Sequence, residues 1–135
     1  MSGPSRIIVG GSLAGGLAAL ALADQGLGPG VTLIESGGGL GGDAGHTWSC
    51  HESDLDDDVR GLVTPLVAHR WPRQIVRFSG RQRLLDTGYL TVTGERFARL
   101  ARERLERHSI STAHSSPAAR ATSRSSFKQG SCAAR

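Results

Sequence analysis

Six residues, Gly10-Gly11-Ser12-Leu13-Ala14-Gly15, join a short β-branched run to a long stretch of alanine and leucine. This junction limits what the chain can fold into more than any other feature. Arg6-Ile7-Ile8-Val9 has the apolar, β-branched character of a buried strand. Leu13 to Gln25 is rich in helix formers, and Gly26, Gly28, Pro29 and Gly30 stop it. Val31-Thr32-Leu33-Ile34 is a second buried strand, closed by Glu35. Strand, glycine turn, helix, turn and strand make a βαβ unit, whose crossover is expected to be right-handed. The expected fold class is therefore α/β and Rossmann-like.

The turn approximates G-x-G-x-x-G at the place where that pattern carries chemistry, after a strand and at a helix start. Glycines there need only mark a tight turn. With strand, helix and acid in register, they select dinucleotide binding. Gly10 makes the turn, and Gly15 lets helix and strand pack closely. Between them, Gly11, Ser12, Leu13 and Ala14 offer the backbone of a helix N-terminus, with its unpaired N–H groups and partial positive charge, to a diphosphate. Ser12 stands where a second glycine is usual, so binding is expected to be weakened, although its hydroxyl can bond a phosphate oxygen. Glu35 lies at the end of the second strand, where a carboxylate accepts hydrogen bonds from the adenosine ribose. The same charge repels a 2′-phosphate, which disfavours NADP at this turn.

After Glu35, Ser36 to Cys50 reads as a loop with six glycines. Asp54 to Val67 is weakly helical and interrupted by Pro65. Its acids Asp54, Asp56, Asp57 and Asp58 read as a solvated helix start rather than a cation site. Gln74 to Phe78 and Arg81 to Leu85 flank Ser79-Gly80 as a small β hairpin, with Arg81 and Arg83 in solvent as the default and facing the cofactor's phosphates as the alternative. Gly88 to Val92 is a further strand, with Tyr89 half-buried. Thr93 to His108 is a helix with Thr93 as N-cap, Glu95 in its first turn, and Phe97, Leu100, Ala101 and Leu105 as one apolar stripe.

At Ser109 the composition changes to serine, alanine and arginine without periodicity. Residues 109–135 are expected to be a disordered tail, and residues 1–108 a single, incomplete cofactor-binding domain. Only 4% of the chain is aromatic and 19 residues are glycine, which leaves a small aromatic core. The net charge of +4 comes from four basic residues in the tail, leaving twelve of each sign before it. A neutral body without a basic, aromatic-laced face gives no support for a nucleic-acid partner. Two cysteines, Cys50 and Cys132, fit a reducing compartment, and a cytoplasmic location is expected. Ile7 to Ala23 superficially resembles a secretory signal but holds four glycines and falls short of a membrane span. His46, Cys50, His51 and Asp43 lack the paired close ligands of a structural metal site, so no metal is expected.

More specific residues follow. Leu40-Gly41-Gly42, His46-Thr47-Trp48-Ser49 and His51 resemble the glycine pair and H-T-W-S signature of the bacterial lycopene β-cyclase family. The resemblance continues through Thr64-Pro65-Leu66-Val67, Arg70-Trp71-Pro72, Val76-Arg77-Phe78, Arg81 to Leu84, Gly88-Tyr89-Leu90 and Glu95-Arg96-Phe97. It covers about residues 6 to 105 and stops near Leu105. Asp43-Ala44-Gly45 makes one loop two residues longer than the family pattern, and Cys50 stands where phenylalanine is usual. A shifted reading frame or a truncated gene is what produces a tail such as 109–135.

The resemblance implies a flavoprotein of carotenoid biosynthesis, with FAD on the first βαβ unit, used in its reduced form with NAD(P)H as external reductant. The family closes the linear ends of lycopene into β-ionone rings, giving γ-carotene and β-carotene by a proton-initiated isomerisation that consumes no net electrons. Its proton-transferring acids belong to the family's later part, so no catalytic residue is assigned here. The chain is expected to be a weakly active or inactive fragment. The competing readings are a non-catalytic nucleotide-binding remnant and another FAD-dependent oxidoreductase. Trp48 and Trp71 are expected to be core anchors, and near a carotenoid site the role of substrate stacking stays open for both. The carotenoid substrate implies a peripheral membrane contact.

Overall fold

The structure, a computed structural model, describes residues 5–42 and 45–114. Strand β1 (Arg6–Val9), helix α1 (Leu13–Asp24) and strand β2 (Val31–Glu35) form the βαβ unit. β1 and β2 are parallel, with Arg6 opposite Val31 and Val9 opposite Ile34. The helix is apolar around most of its circumference and buries Gly16, Ala19, Leu20 and Ala23. It ends in a Schellman motif: Gly26, at φ +73°, donates to the Ala23 carbonyl, and Leu27 donates to the Leu22 carbonyl.

The chain then leaves the parallel sheet. Strand β3 (Thr47–His51), helix α2 (Asp57–Val63), strand β4 (His69–Trp71), the hairpin β5 (Gln74–Phe78) and β6 (Arg81–Leu85), and strand β7 (Tyr89–Thr93) follow. β7 lies between β3 and β4, antiparallel to both. The hairpin turns at Gly80, φ +71°, as its sequence requires. Helix α3 (Gly94–Arg107) begins at Thr93, whose hydroxyl accepts the Arg96 N–H at 3.4 Å, and buries Phe97, Ala101 and Leu105. Strand β8 (Ser111–His114) then adds to the free edge of β2, parallel to it, with Thr32 opposite Ser111.

The α/β, Rossmann-like reading holds, with added helices and a small hairpin, but three local expectations are corrected. Thr47 to Cys50 is strand rather than loop, because its backbone pairs with β7. His69 to Trp71 is also a strand of that sheet. Ile110 to His114 is not disordered tail: Ile110 is buried in the core and the four residues after it pair with β2. Residues 115–135, including Cys132, lie outside the described residues. The parallel sheet therefore has three strands, in the order β1-β2-β8. The antiparallel part is an insertion between β2 and α3, and α3 with β8 resumes the doubly wound pattern.

One apolar cluster serves both sheets. Leu20, Val31 and Leu33 from the parallel part meet Leu66, Val92 and Phe97 from the rest. Gly16 makes this possible: a Cβ there would lie 2.2 Å from the Phe97 ring. Outside the core, one Arg104 nitrogen, Nη2, donates to both oxygens of the Asp24 carboxylate at 2.8 Å, tying α3 to the end of α1.

Candidate functional site

The site is built where β1 meets α1. Gly10 takes φ +102°, a conformation that glycine adopts without a Cβ penalty, and donates to the Ile34 carbonyl at 2.8 Å. The chain turns there and enters α1 through Ser12, whose backbone is extended. Gly15 sits against the turn so closely that a Cβ would fall 1.8 Å from the Gly10 carbonyl oxygen. The two glycines thus have the roles their spacing predicts. Ser12 is exposed and its hydroxyl makes no capping bond, so the first N–H groups of the helix are not capped by it.

Glu35 points back at this turn. One carboxylate oxygen accepts the Gly11 N–H. The other accepts the Gly37 N–H at 2.7 Å and the Ser36 hydroxyl at 3.5 Å. Burial pushes this carboxyl upward, but the N–H groups of Gly37, Gly11 and Ser36 and the Ser36 hydroxyl outweigh it, and the pKa lies below the ordinary value. Glu35 is therefore a carboxylate at neutral pH. A Cβ on Gly11 would meet that carboxylate at 2.9 Å, so glycine is what lets the turn and the acid meet.

The residues of the expected site, Gly10 to Gly15 and Glu35, come together at one end of the parallel sheet. Ser36, Gly37 and Gly41 join them and were not among the expected residues. Gly41, at φ +86°, donates to the Gly11 carbonyl at 2.9 Å and closes the loop over the turn. Its signal was present in Leu40-Gly41-Gly42, but only a folded loop shows which glycine faces the turn.

The H-T-W-S segment anchors the antiparallel sheet next to this loop. The His46 carbonyl accepts the Gly94 N–H at 2.8 Å. Trp48 lies edge-on to His46 and to Phe97, with ring centroids 4.7 and 5.8 Å apart, and is a core anchor as expected. Trp71 is not: it is 45% exposed and lies beside His69 and Tyr89 on the outer face. Ser49 and Thr91 share a hydrogen bond of 2.9 Å across the sheet.

Comparison with known proteins bears on the family and the fold. The family model described as "Lycopene cyclase protein" matches residues 6–133, which extends the likeness past the point near Leu105 where the motifs end. The chain is 40% identical over 102 residues to lycopene beta-cyclase of Pantoea ananas, covering 76% of this chain and 26% of that protein. It is 46% identical over 92 residues to lycopene beta-cyclase of Pseudescherichia vulneris, covering 68% and 23%. The chain thus spans about a quarter of the length of these relatives. Among solved structures, 2-methyl-3-hydroxypyridine-5-carboxylic acid oxygenase superposes with a TM-score of 0.58 at 19% identity, over 83% of this chain and 32% of that one. A peptidyl tryptophan dihydroxylase gives 0.55 at 22% identity, over 82% and 25%. At these identities the two structures speak for the fold alone.

Proposed function

This chain belongs to the lycopene cyclase family, and we propose that its turn at Gly10 to Gly15, with Glu35, holds the adenine-dinucleotide part of FAD for ring closure at the ends of lycopene. The observation that carries this reading is the Glu35 carboxylate held on the Gly11 N–H. It puts an acceptor for ribose hydroxyls beside the helix start that receives the diphosphate. Leu13 and Ala14 bring backbone N–H groups to the diphosphate, the Gly11 N–H being held by Glu35, and the Ser12 hydroxyl adds a donor. The Glu35 charge selects against a 2′-phosphate at the same place. Reduced FAD, when bound, supplies negative charge beside an apolar substrate, where it favours cation formation; NAD(P)H is the external reductant in this reading. In the cyclisation a proton adds to a terminal double bond, the cation closes the ring, and a proton leaves. The resemblance puts the proton-transferring acids in the later part of the relatives, so they are not assigned here.

The test uses Ser12→Asp. Aspartate is a good N-cap, so the helix keeps its start, while its charge opposes a diphosphate. FAD is titrated with the protein and flavin fluorescence is read. The expected result is saturable binding that the variant weakens at least tenfold. Equal binding by both forms would sink the reading.

A substrate that partitions into lipid also calls for contact with a membrane surface, and the β5–β6 hairpin suits it. No helix among the described residues is long and apolar enough to cross a membrane. The hairpin instead exposes Phe78 (72%), Ile75 and Leu84, with Arg77, Arg81 and Arg83 among them and no acid between Gln74 and Leu85. Exposed apolar side chains interleaved with arginine match an anionic lipid surface. Co-sedimentation with phosphatidylglycerol vesicles, but not phosphatidylcholine vesicles, is the expected result, and loss of it in the triple Arg→Gln variant at 77, 81 and 83 checks the assignment.

A further inference from the structure

A second site lies beneath the first turn of α1, on the other side of Leu13 from solvent. Leu13 and Leu17 of α1, Trp48 and Cys50 of β3, and Leu90 and Val92 of β7 wall a cavity of about 200 Å³. Leu55, Val59 and Val63 complete it from the α2 side. Val59 is 42% exposed and marks its opening. No charged side chain lines it. Ser49, at its edge, already bonds Thr91. Besides the Trp48 indole N–H, the remaining polar group is the Cys50 thiol. Burial, then the charges of Asp54 and Glu52, push its pKa up, so it stays neutral.

Such a lining gives a charged ligand nothing to pair with, and desolvation would exclude it. It welcomes an apolar group. The volume exceeds the roughly 150 Å³ of an apolar cavity that holds one benzene ring. It is smaller than the roughly 300–1,000 Å³ of pockets that enclose whole drug-sized ligands. A single ring or a branched alkene end therefore fits, with the rest of the molecule leaving past Val59. Leu13 belongs to both sites: its backbone opens the helix that faces the diphosphate, and its side chain roofs the cavity.

We propose that this cavity is a binding site for one apolar end of a hydrocarbon ligand, held against the underside of the dinucleotide-binding turn. Its preference for an apolar end follows from the lining. That the natural ligand is a carotene end rests on the function proposed above.

The test uses β-ionone, a neutral ring compound, and the Trp71→Phe protein, in which Trp48 is the one remaining tryptophan. β-Ionone is expected to quench Trp48 emission with saturation. Val59→Phe in that background places a bulky ring at the opening from an exposed position, and is expected to raise the half-saturating concentration at least tenfold. Glu106→Gln, exposed near the end of α3, should leave it unchanged. Benzoate should not compete. Circular dichroism verifies that the Val59→Phe chain keeps its helices. A second reading is independent of that variant: with Cys132→Ser, β-ionone should protect Cys50 from maleimide. Quenching that ignores Val59→Phe, competition by benzoate, or unprotected Cys50 would each overturn the proposal. FAD titration separates the two claims. Loss of FAD binding with β-ionone binding intact removes the dinucleotide reading alone, and the reverse removes the cavity alone.

Discussion

The two sheets are joined at one core but specified differently. In the parallel sheet, contacts are set by backbone geometry that single residues dictate. Gly10 turns the chain at a positive φ, Gly15 admits the Gly10 carbonyl, and Gly11 admits the Glu35 carboxylate across twenty-four residues. In the antiparallel sheet, partners come together across longer stretches by side-chain fit. Ser49 meets Thr91 over forty-two residues, and Trp48 meets Phe97. A turn built from backbone groups needs the first kind of specification, since a Cβ on Gly15 would meet the Gly10 carbonyl oxygen and one on Gly11 the Glu35 carboxylate. A wall for an apolar cavity needs only the second.

Phe97 is where the two regions depend on each other, and its loss is the largest expected effect. Its ring lies on Gly16 of α1 and beside Trp48 of β3, fully buried. Phe97→Ala should cost about 3–5 kcal/mol. In urea, Trp48 emission and far-UV ellipticity should lose stability together. Separate transitions in the parent chain would break the single-core picture and make the sheets independent units.

Gly15→Ala comes next and acts on the parallel side. The new methyl would meet the Gly10 carbonyl oxygen, a backbone atom that cannot swing aside. A loss of about 3 kcal/mol, the upper end of ordinary overpacking, is expected from urea unfolding. Gly61→Ala, inside α2 where no atom lies within 4 Å of the added carbon, is the control and should gain up to about 1 kcal/mol from helix propensity.

The same contrast explains what was legible in the sequence. The βαβ unit could be read because its signals are local: β-branched strands, an alanine-rich helix, a glycine stop and an acid at the strand end. Helix α3 could be read from its stripe and its Thr93 cap. Strands β3, β4 and β8 could not. Thr47 to His51 mixes aromatic, small and polar residues, and becomes a strand only because β7 offers it a ladder. Ser111 to His114 has no buried side chain of its own. It pairs because Ile110, buried at the end of α3, fixes where the chain emerges. Gly37 and Gly41 escaped notice as site residues because six glycines in one loop look alike until the loop is closed.

Thr91→Val tests the antiparallel side and should be milder. It removes a buried hydroxyl whose partner, Ser49, is exposed enough to turn to water. About 1 kcal/mol is expected from urea unfolding, unchanged between pH 7 and pH 3 because neither group titrates there. A larger loss would mean that this pair, rather than the apolar contacts, fixes the register of β3 on β7.

The smallest effect sharpens the comparison by its pH dependence. Glu35 is held below its ordinary pKa in the folded chain. A lowered carboxyl pKa gives stability that is fully present above the unfolded value, about 4.3 for a glutamate. That stability is lost as the pH falls through the folded value. Glu35→Gln should therefore be less stable than the parent at pH 7, by no more than about 1 kcal/mol since water screens the site. The gap should close as the pH falls from about 4.3 through the folded value, because the parent's carboxyl then becomes neutral too. A gap that persists with Glu35 protonated would show that the glutamine costs packing rather than charge. The tie between Glu35 and Gly11 would then owe its position to the loop through Gly37 and Gly41, and the parallel sheet would depend on side-chain fit as much as the antiparallel one does.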